Sequence, residues 1–208
     1  GGKFVDAYMI EKIVSNDGEI VYKHESQPVD VFSPQTAYLT LDMMRDVLKS
    51  GTAGRLPGYL KFNADWAGKT GTSQDWHDSW FVASNPNVTF GVWTGYEKPM
   101  SLDRSNYAHR TQRLWALLMN ATYDIKPDAV APKQRFAMPG GIVKRTICGI
   151  TGNLPSEACE QAGLVTTDLY NAKFAPTDKD EDLDVIRYVV MNGKNYVALD
   201  STPQEFTK

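Results

Sequence analysis

The residues best suited to chemistry lie in one short stretch, residues 66–73, which reads Trp-Ala-Gly-Lys-Thr-Gly-Thr-Ser. It combines one cation, Lys69, with several hydroxyls and with Gly71, a residue type that permits close backbone approach. One interpretation is the end of a phosphate-binding loop, G-x-x-x-x-G-K-[ST]. That interpretation fails because Asn63 occupies the position of the first glycine and Asp65 adds a negative charge near the phosphate. A second interpretation is a structural strand with an exposed lysine and a glycine at a bulge or close contact.

A third interpretation takes residues 69–71 as the Lys-Thr-Gly motif of serine acyl-transferases that act on D-alanyl peptides and β-lactams. Two further blocks follow it, Asp-Ser-Trp-Phe-Val-Ala at 78–83 and Val-Trp-Thr-Gly-Tyr at 92–96. Together the three blocks closely resemble the corresponding stretch of class A penicillin-binding proteins, the bifunctional cell-wall synthases. The resemblance extends back through residues 48–53 and the Asp-Gly pair at 17–18.

The resemblance is good over about residues 1–125 and looser over 136–177. In the looser part, Cys148 and Cys159 resemble the arrangement in the tail of many Gram-positive members. In an extracellular protein these two cysteines could form a disulfide, which would stabilise the fold by roughly 2 to 3 kcal/mol in the chain-entropy model.

The resemblance also implies roles for the residues of the motif. A D-alanyl-D-alanine stem peptide ends in a carboxylate beside the scissile amide, so its site needs a cation, hydroxyl donors and amides directed at the developing oxyanion. Lys69 is the implied cation, which tunes the proton relay and attracts the carboxylate. Thr72 is implied to direct its hydroxyl to the carboxylate and its backbone N–H to the oxyanion hole. The other substrate-binding positions implied are Thr70, Gly71, Ser73 and Gln74.

The sequence departs from the family pattern at the nucleophile. Acyl-enzyme chemistry in this family needs a serine with a lysine three residues later, and a second serine with an asparagine two residues later. None of the eleven serines of this chain meets either requirement. The resemblance implies that both elements lie upstream of Gly1, so we expect the chain to begin within the domain and to be inactive alone.

Two helices are predicted around the motif. Ser33 and Pro34 form an N-cap followed by proline at the first helical position, which predicts a helix over about residues 34–50. Gly51 is expected to end this helix in the left-handed conformation. A second helix, ending near residue 120, is predicted by the spacing of Tyr107, Thr111, Leu114 and Leu118.

Strands are predicted at 67–73, 79–83 and 88–96, and the Ser-Asn-Pro-Asn turn at 84–87 should make the last two antiparallel. Residues 8–23 predict a separate β-hairpin. These elements predict an α+β fold with an antiparallel sheet flanked by helices. The resemblance implies the penicillin-binding/β-lactamase-like transpeptidase fold, incomplete in this chain and therefore with an exposed apolar patch.

The composition becomes rich in proline after residue 125, with Pro127, Pro132 and Pro139, and this change predicts a domain boundary near residue 125. Residues 1–125 would be the C-terminal part of the transpeptidase domain and 126–208 a small β-rich extension. The Asn-Gly pair at 192–193 predicts a hairpin with strands at 185–191 and 194–199. The acidic run at 178–184 favours a solvated loop.

Composition excludes several classes of partner. Lys and Arg number 22 against 25 Asp and Glu, for a net charge of -3, so no basic field attracts nucleic acid. The longest apolar run, residues 114–119, is far shorter than the roughly 18 residues of a membrane span. The scattered histidines and paired cysteines match no metal-site pattern, so no metal or cofactor is expected.

The sequence therefore predicts part of a serine-type D,D-transpeptidase or carboxypeptidase. Its expected partners are peptidoglycan stem peptides, β-lactam antibiotics and the upstream part of the same domain. The expected location is the extracellular face of the bacterial cytoplasmic membrane, with an upstream anchor. The alternative is a non-catalytic cell-wall binding or interaction module derived from a transpeptidase. The intact Lys69, Gly71 and Thr72 favour the enzyme, because a decayed site has no reason to retain them together.

Overall fold

The computed structural model describes residues 1–183 and 185–207. The chain divides into two compact units, Gly1–Gly140 and Gly141–Lys208, and each is described by itself. Within the described residues, no helix has the length and apolar character needed to cross a membrane.

The first unit packs two long helices against antiparallel strands, which agrees with the α+β prediction. Its helices are α1 (Pro34–Lys49) and α2 (Tyr107–Ile125), and its strands are β1 (Lys3–Phe4), β2 (Lys12–Val14), β3 (Ile20–Lys23), β4 (Val29–Asp30), β5 (Ala67–Thr72), β6 (Asp78–Ser84) and β7 (Thr89–Gly95). Strand β1 pairs with β4, and β2 with β3 in the predicted hairpin. Strands β5, β6 and β7 form an antiparallel sheet in that order, which confirms the predicted pairing and leaves β5 at one edge.

The register of β5 and β6 decides which side chains share a face of this sheet. Directly opposite residues of an antiparallel pair point to the same face, and successive residues point to opposite faces. One face carries Lys69, Gly71, Trp80 and Val82. The other face carries Gly68, Thr70, Thr72, Ser79, Phe81 and Ala83. Helix α1 packs on β5 and α2 packs on β6 and β7. We call the face with Lys69 the open face and the face with Phe81 the helix face.

The core lies between the helix face and α2, and Trp115 is its centre. The indole of Trp115 is fully buried and meets Trp66 and Phe81 edge to face, with ring centroids 4.9 and 5.4 Å away. Its N–H donates to the carbonyl oxygen of Phe90 over 2.9 Å, so the polar end of the ring is also satisfied. This packing fixes α2 against the sheet.

Helix α1 begins as predicted, but its end differs from the prediction. The Ser33 hydroxyl accepts a hydrogen bond from the Thr36 N–H over 3.1 Å, which confirms the N-cap. The predicted left-handed cap at Gly51 is wrong, because Ser50 is the C-cap and Gly51 does not have a positive φ. A Cβ at Gly51 would lie 2.7 Å from the Cα of Val47, so close backbone approach explains the glycine.

Helix α2 extends to Ile125, past the predicted end near residue 120. Two of the residues that predicted it, Leu114 and Leu118, are exposed. Its buried residues are Thr111, Gln112, Trp115, Ala116, Met119 and Asn120. Polar side chains therefore form part of the buried face, which hydrophobic spacing does not reveal.

Residues 126–140 belong to the first compact unit, although the composition of the chain changes near residue 125. The Asn85 side-chain amide donates to the carbonyl oxygen of Val130. The Phe136 N–H donates to the Asp65 carboxylate over 2.9 Å. These bonds explain why the unit ends at Gly140 instead of at the compositional boundary.

The second unit consists of short paired elements. They are β8 (Ile142–Cys148), α3 (Glu157–Gln161), β9 (Val165–Asn171), β10 (Tyr188–Met191) and β11 (Lys194–Val197). Strand β8 pairs antiparallel with β9, and β10 with β11. Asn192 and Gly193 connect β10 and β11 with φ values of 51 and 74°, so the predicted hairpin is confirmed. A disulfide joins Cys148 and Cys159, whose Cα atoms lie 5.9 Å apart.

The acidic run of the second unit is not uniformly solvated. Asp180 is buried, and its carboxylate accepts a hydrogen bond from the Ser156 hydroxyl over 2.9 Å. The prediction of a solvated loop is therefore wrong at Asp180, because a local hydroxyl replaces water. Asp184, the last residue of the run, lies outside the described residues.

A candidate active-site strand

Strand β5 is held close to α1 by the absence of a side chain at Gly68. A Cβ there would lie 3.0 Å from the Cβ of Ala83 and 3.1 Å from Cδ1 of Leu48. Any larger residue would separate the strand from α1 or from β6. The packing of Gly68 thus sets the position of Lys69, the next residue along the strand.

The Lys69 side chain is exposed on the open face of the sheet. Its Nζ donates to the carbonyl oxygen of Thr70 over 2.9 Å, so the ammonium lies near the backbone of the edge strand. An exposed ammonium at a sheet edge can attract an anionic group of an extended ligand that approaches β5.

Thr70 and Thr72 lie on the helix face, on the other side of the strand from Lys69. The hydroxyl oxygen of Thr70 is 2.9 Å from that of Thr52. The Thr72 hydroxyl donates to the hydroxyl of Tyr107, the first residue of α2, over 3.4 Å. Both hydroxyls therefore have partners within the first unit, while Thr72 itself stays exposed.

Gly71 lies between the two threonines and directly opposite Trp80. A Cβ at Gly71 would lie 3.1 Å from the Cβ of Trp80, which is tight but does not meet backbone. The glycine leaves a low point on the open face beside the tryptophan, where an extended chain can approach β5 closely.

Ser73 closes the turn between β5 and β6. Its hydroxyl accepts a hydrogen bond from the Asp78 N–H over 2.8 Å, and its N–H donates to the Asp78 carbonyl oxygen over 3.2 Å. Hydrogen bonding of the Asp78 carboxylate to Ser73, and to the Trp93 indole N–H over 2.8 Å, lowers the pKa of Asp78 below its ordinary value. The surroundings of Ser73 therefore fit a turn-forming role, and Gln74 beside it is exposed.

The turn beyond Gln74 has an unusual backbone. Asp75 and Trp76 have φ values of 54 and 56°, in the left-handed region that non-glycine residues seldom adopt. The Ser101 hydroxyl donates to the Asp75 carbonyl oxygen over 2.9 Å, and the Leu102 N–H donates to that of Trp76 over 2.8 Å. The guanidinium carbon of Arg104 lies 3.8 Å from the centre of the Trp76 ring. The segment before α2 thus holds this turn in place.

The open face also exposes large aromatic side chains. Trp80 and Trp93 are 48% and 44% exposed, and their ring centroids lie 6.4 Å apart. Tryptophans on a sheet face that other elements cover would be less exposed than this. Together with the exposed Val82, the two tryptophans form an apolar surface next to Lys69.

The sequence-predicted site residues other than the cysteines, residues 69–74, lie together on β5 and the turn that follows it. Sequence analysis missed Thr52, Tyr107 and Gln112 as neighbours of these residues. Tyr107 contributed only to helical spacing, and Thr52 stood in a run of small residues, so no local pattern identified either one. Among the described residues, no group of three His, Cys, Asp or Glu side chains could hold a metal ion.

Comparison with known families agrees with this fold and motif. Residues 1–111 match the family described as "Penicillin binding protein transpeptidase domain". Residues 138–184 match the family described as "Penicillin-binding protein 1A, C-terminal domain". The chain belongs to the penicillin-binding protein transpeptidase family.

Curated relatives come from several bacteria. Penicillin-binding protein 1A of Clostridium novyi (strain NT) is 25% identical over 182 residues, 86% of this chain and 20% of the relative. Penicillin-binding protein 1A of Neisseria lactamica is 36% identical over 114 residues, 51% of this chain and 14% of the relative. Penicillin-binding protein 4 of Bacillus subtilis (strain 168) is 32% identical over 123 residues, 59% of this chain and 19% of the relative. The chain thus spans about a fifth or less of the length of these relatives.

A solved structure shows the same fold. The crystal structure of penicillin-binding protein 1A from Haemophilus influenzae superposes with a TM-score of 0.68 at 20% identity. The match covers 86% of this chain and 31% of that chain. At this level of identity, the likeness supports the transpeptidase fold alone.

Proposed function

We propose that this chain forms the Lys-Thr-Gly side of the cleft of a serine D,D-transpeptidase that cross-links peptidoglycan stem peptides and binds penicillin. The observation that carries the proposal is the edge strand β5, where the exposed Lys69 stands beside Gly71 and the exposed Thr72. A cation, a gap for a peptide backbone and a hydroxyl therefore occur within four consecutive residues of one free strand edge.

The proposed roles follow the chemistry of a D-alanyl-D-alanine end. Lys69 attracts the terminal carboxylate and tunes the proton relay, and Thr72 donates its hydroxyl to that carboxylate. The Thr72 N–H contributes to the oxyanion hole. Thr70 supplies a secondary polar contact to the same carboxylate, and Gln74 lies exposed just beyond the end of β5. Ser73 acts mainly through the turn that it closes.

In the proposed reaction, a serine from outside this chain supplies the nucleophile. Its oxygen forms an ester with the carbonyl carbon of the penultimate D-alanine while the amide C–N bond breaks. The terminal D-alanine leaves with the serine proton on its amine. The amine of a neighbouring stem peptide then attacks the ester, forming an amide and returning a proton to the serine. With a β-lactam, the serine oxygen forms an ester with the ring carbonyl carbon as the ring C–N bond breaks, and the nitrogen takes up the serine proton and stays within the adduct.

The exposed tryptophans of the open face favour the hypothesis that another segment of the transpeptidase domain packs over this face. Trp80 and Trp93 form an apolar surface beside Lys69, where the proposal requires the serine to approach. We propose the upstream part of the same domain as the segment that covers this surface. Burial of aromatic surface would contribute to holding the serine beside Lys69.

The test is covalent labelling by a fluorescent penicillin, read on a denaturing gel. The 208-residue chain alone should not be labelled, and a longer protein that joins it to a Ser-x-x-Lys segment should be. Within the longer protein, Lys69→Met should lower the rate of labelling by at least about a hundredfold, because the cation acts on the reacting centre. Lys61→Met is the matched control, since that exposed lysine forms an ion pair with Asp124.

Labelling of the 208-residue chain alone would overturn the assignment of the nucleophile to another segment. Equal labelling of the Lys69→Met and Lys61→Met proteins would overturn the proposed role of Lys69. A longer protein that no penicillin labels would contradict the transpeptidase proposal and favour a non-catalytic wall-binding module.

We propose residues 1–125 as the transpeptidase part and 126–208 as an extension, acting at the extracellular face of the cytoplasmic membrane. The Gram-positive type of the tail stays a prediction, because the relatives come from Clostridium and Bacillus as well as from Neisseria.

A further inference from the structure

Helix α2 contacts the candidate strand β5 through two separate hydrogen-bonded routes. One route leads from Tyr107 to Thr72, and the other leads from Gln112 through Thr52 to Thr70. We propose that Tyr107 and Gln112 are positioning residues that orient the two threonine hydroxyls for the carboxylate of the substrate. The inference rests on the proposed transpeptidase function and names residues outside the Lys-Thr-Gly strand on which that function depends.

The Tyr107 route begins in a buried cluster of hydroxyls. The Thr111 hydroxyl oxygen lies 2.8 Å from that of Ser79 on β6 and 2.6 Å from that of Thr94 on β7. Thr111 and Ser79 are both buried. The cluster therefore ties the N-terminal part of α2 to β6 and β7 of the same sheet. Tyr107 lies one turn before Thr111, and its backbone carbonyl also accepts from the Thr111 hydroxyl over 3.2 Å.

Tyr107 can support Thr72 in a way that a mere packing residue cannot. Without substrate, the Thr72 hydroxyl donates to the phenol oxygen over 3.4 Å. A hydroxyl that donates to a carboxylate keeps its lone pairs free, and a phenol can act as either donor or acceptor. With substrate bound, the Tyr107 O–H can thus donate to Thr72 while Thr72 donates to the carboxylate. The reversal keeps Thr72 in one rotamer and directs its proton at the substrate.

The Gln112 route acts through the loop that follows α1. The Gln112 side-chain amide is buried and donates to the Thr52 carbonyl oxygen over 3.0 Å. The Thr52 hydroxyl oxygen lies 2.9 Å from that of Thr70. Thr52 is exposed, so packing does not fix its side chain. Among the described contacts, this short loop and Gln112 hold its hydroxyl at that distance from Thr70. The same helix thus fixes both threonines, which preorganises the strand at little cost in side-chain entropy.

The first experiment measures acylation rates in the longer protein that joins this chain to a Ser-x-x-Lys segment. A fluorescent penicillin and its methyl ester serve as probes, because the ester lacks the carboxylate. Tyr107→Phe should slow acylation by the free acid by about threefold to tenfold, the range of one lost hydrogen bond. The ester should change by less than about twofold, the usual limit of uncoupled effects.

The matched control is Tyr123→Phe, which removes a phenol from the far end of α2. The Tyr123 ring stacks on Phe62, with centroids 4.6 Å apart, and the substitution preserves that contact. Tyr123→Phe should leave both probes unchanged. In the Thr72→Val background, Tyr107→Phe should have no further effect, because its partner hydroxyl is already gone.

The second experiment tests the Thr52 route without disturbing the core. Thr52→Val should slow acylation by the free acid by about threefold, and Thr52→Ser should restore the rate because it keeps the hydroxyl. A purely structural role of Thr52 would affect acid and ester alike and would also lower the unfolding temperature.

The outcomes separate this inference from the proposed function. If the wild-type protein is acylated but Tyr107→Phe behaves like Tyr123→Phe, the positioning role of Tyr107 is wrong while the transpeptidase proposal stands. The same holds if acid and ester lose rate equally. If the wild-type protein is not acylated, both proposals fall together.

Discussion

The two compact units are stabilised in different ways. The first unit buries a continuous core in which Trp66, Phe81 and Trp115 interlock, and α2 covers one face of its sheet. In the second unit, the buried apolar residues among those described are Ile147, Cys148 and Cys159. Two of these three residues form the disulfide, so the covalent bond lies within the small buried core of the second unit.

This difference explains where a precise site can be built. A side chain keeps a fixed position only if packing and hydrogen bonds restrict its supports. Thr72 is supported by a helix that a dense core fixes to the sheet, whereas the hairpins of the second unit depend mainly on strand pairing. The candidate cleft therefore belongs to the part of the chain where packing determines structure.

The largest expected effect comes from the centre of the core. Trp115→Ala should destabilise the first unit by about 4 kcal/mol, because it removes a fully buried indole and leaves a cavity. The measurement is urea unfolding followed by tryptophan fluorescence, which reports on the first unit because all five tryptophans lie between residues 66 and 115. Leu117→Ala, an exposed position on the same helix, should cost no more than about 0.5 kcal/mol.

Equal effects of Trp115→Ala and Leu117→Ala would show that α2 is not packed as the structure describes. The contrast between a packed and a cross-linked unit would then lose its basis.

The next effect concerns the buried ion pair of the first unit. The Asp65 and Arg45 side chains are only 12% and 11% exposed, and the guanidinium binds the carboxylate through two hydrogen bonds of 2.8 and 2.6 Å. Asp65→Asn should destabilise the protein by about 3 kcal/mol near neutral pH, because it replaces a bidentate carboxylate by a neutral amide and leaves Asp42 as the remaining carboxylate on the guanidinium among the described residues. The exposed ion pair between Lys61 and Asp124 provides the control. Asp124→Asn should lower the free energy of unfolding by less than about 1 kcal/mol.

The ion pair also predicts a pH dependence. Burial opposes ionisation of Asp65, but hydrogen bonds from Arg45 and from the Phe136 N–H outweigh it and hold the pKa of Asp65 below its ordinary value. A lowered folded-state pKa gives stability that is present above the unfolded pKa of about 3.9 and is lost as the pH falls through the folded pKa. The stability difference between wild type and Asp65→Asn should therefore shrink below about pH 4. A difference that grows in acid would contradict this electrostatic account.

A smaller effect is expected from the covalent bond of the second unit. Replacing Cys148 and Cys159 by serine should destabilise that unit by roughly 2 to 3 kcal/mol, since the bond closes a short loop. Amide hydrogen exchange should rise in β8 and β9. The urea transition seen by tryptophan fluorescence should stay unchanged, because every tryptophan lies in the first unit. A shift of that transition would show that the two units do not unfold independently.

Much of the first unit was predictable because its signals are local. Ser33 and Pro34 fix the start of α1, and the Ser-Asn-Pro-Asn turn at 84–87 sets the pairing of β6 and β7. The Asn-Gly pair at 192–193 did the same for the hairpin of the second unit. Each of these signals needs only a few adjacent residues, so long-range packing cannot easily override it.

Predictions failed where a residue depends on distant neighbours. The sequence predicted a left-handed cap at Gly51, but the glycine is required because the backbone of Val47 leaves no room for a Cβ. Leu114 and Leu118 helped to predict α2 but are exposed, whereas Thr111 and Gln112 are buried and have partners on other elements. Some polar residues are buried because a hydroxyl or carbonyl on another element hydrogen-bonds to them. Hydrophobic spacing cannot identify such residues.

The sequence by itself determined the family resemblance, the antiparallel strands and the four residues from Lys69 to Thr72, since motif and alternation are written in consecutive positions. Only the tertiary structure decided that Lys69 and the threonines lie on opposite faces of β5, through the register with β6. It also decided that Tyr107 reaches Thr72 from 35 positions away along the chain. The reason is physical: a hydrogen bond depends on distance in space, and that distance is set by the packing of α2 against the sheet around Trp115.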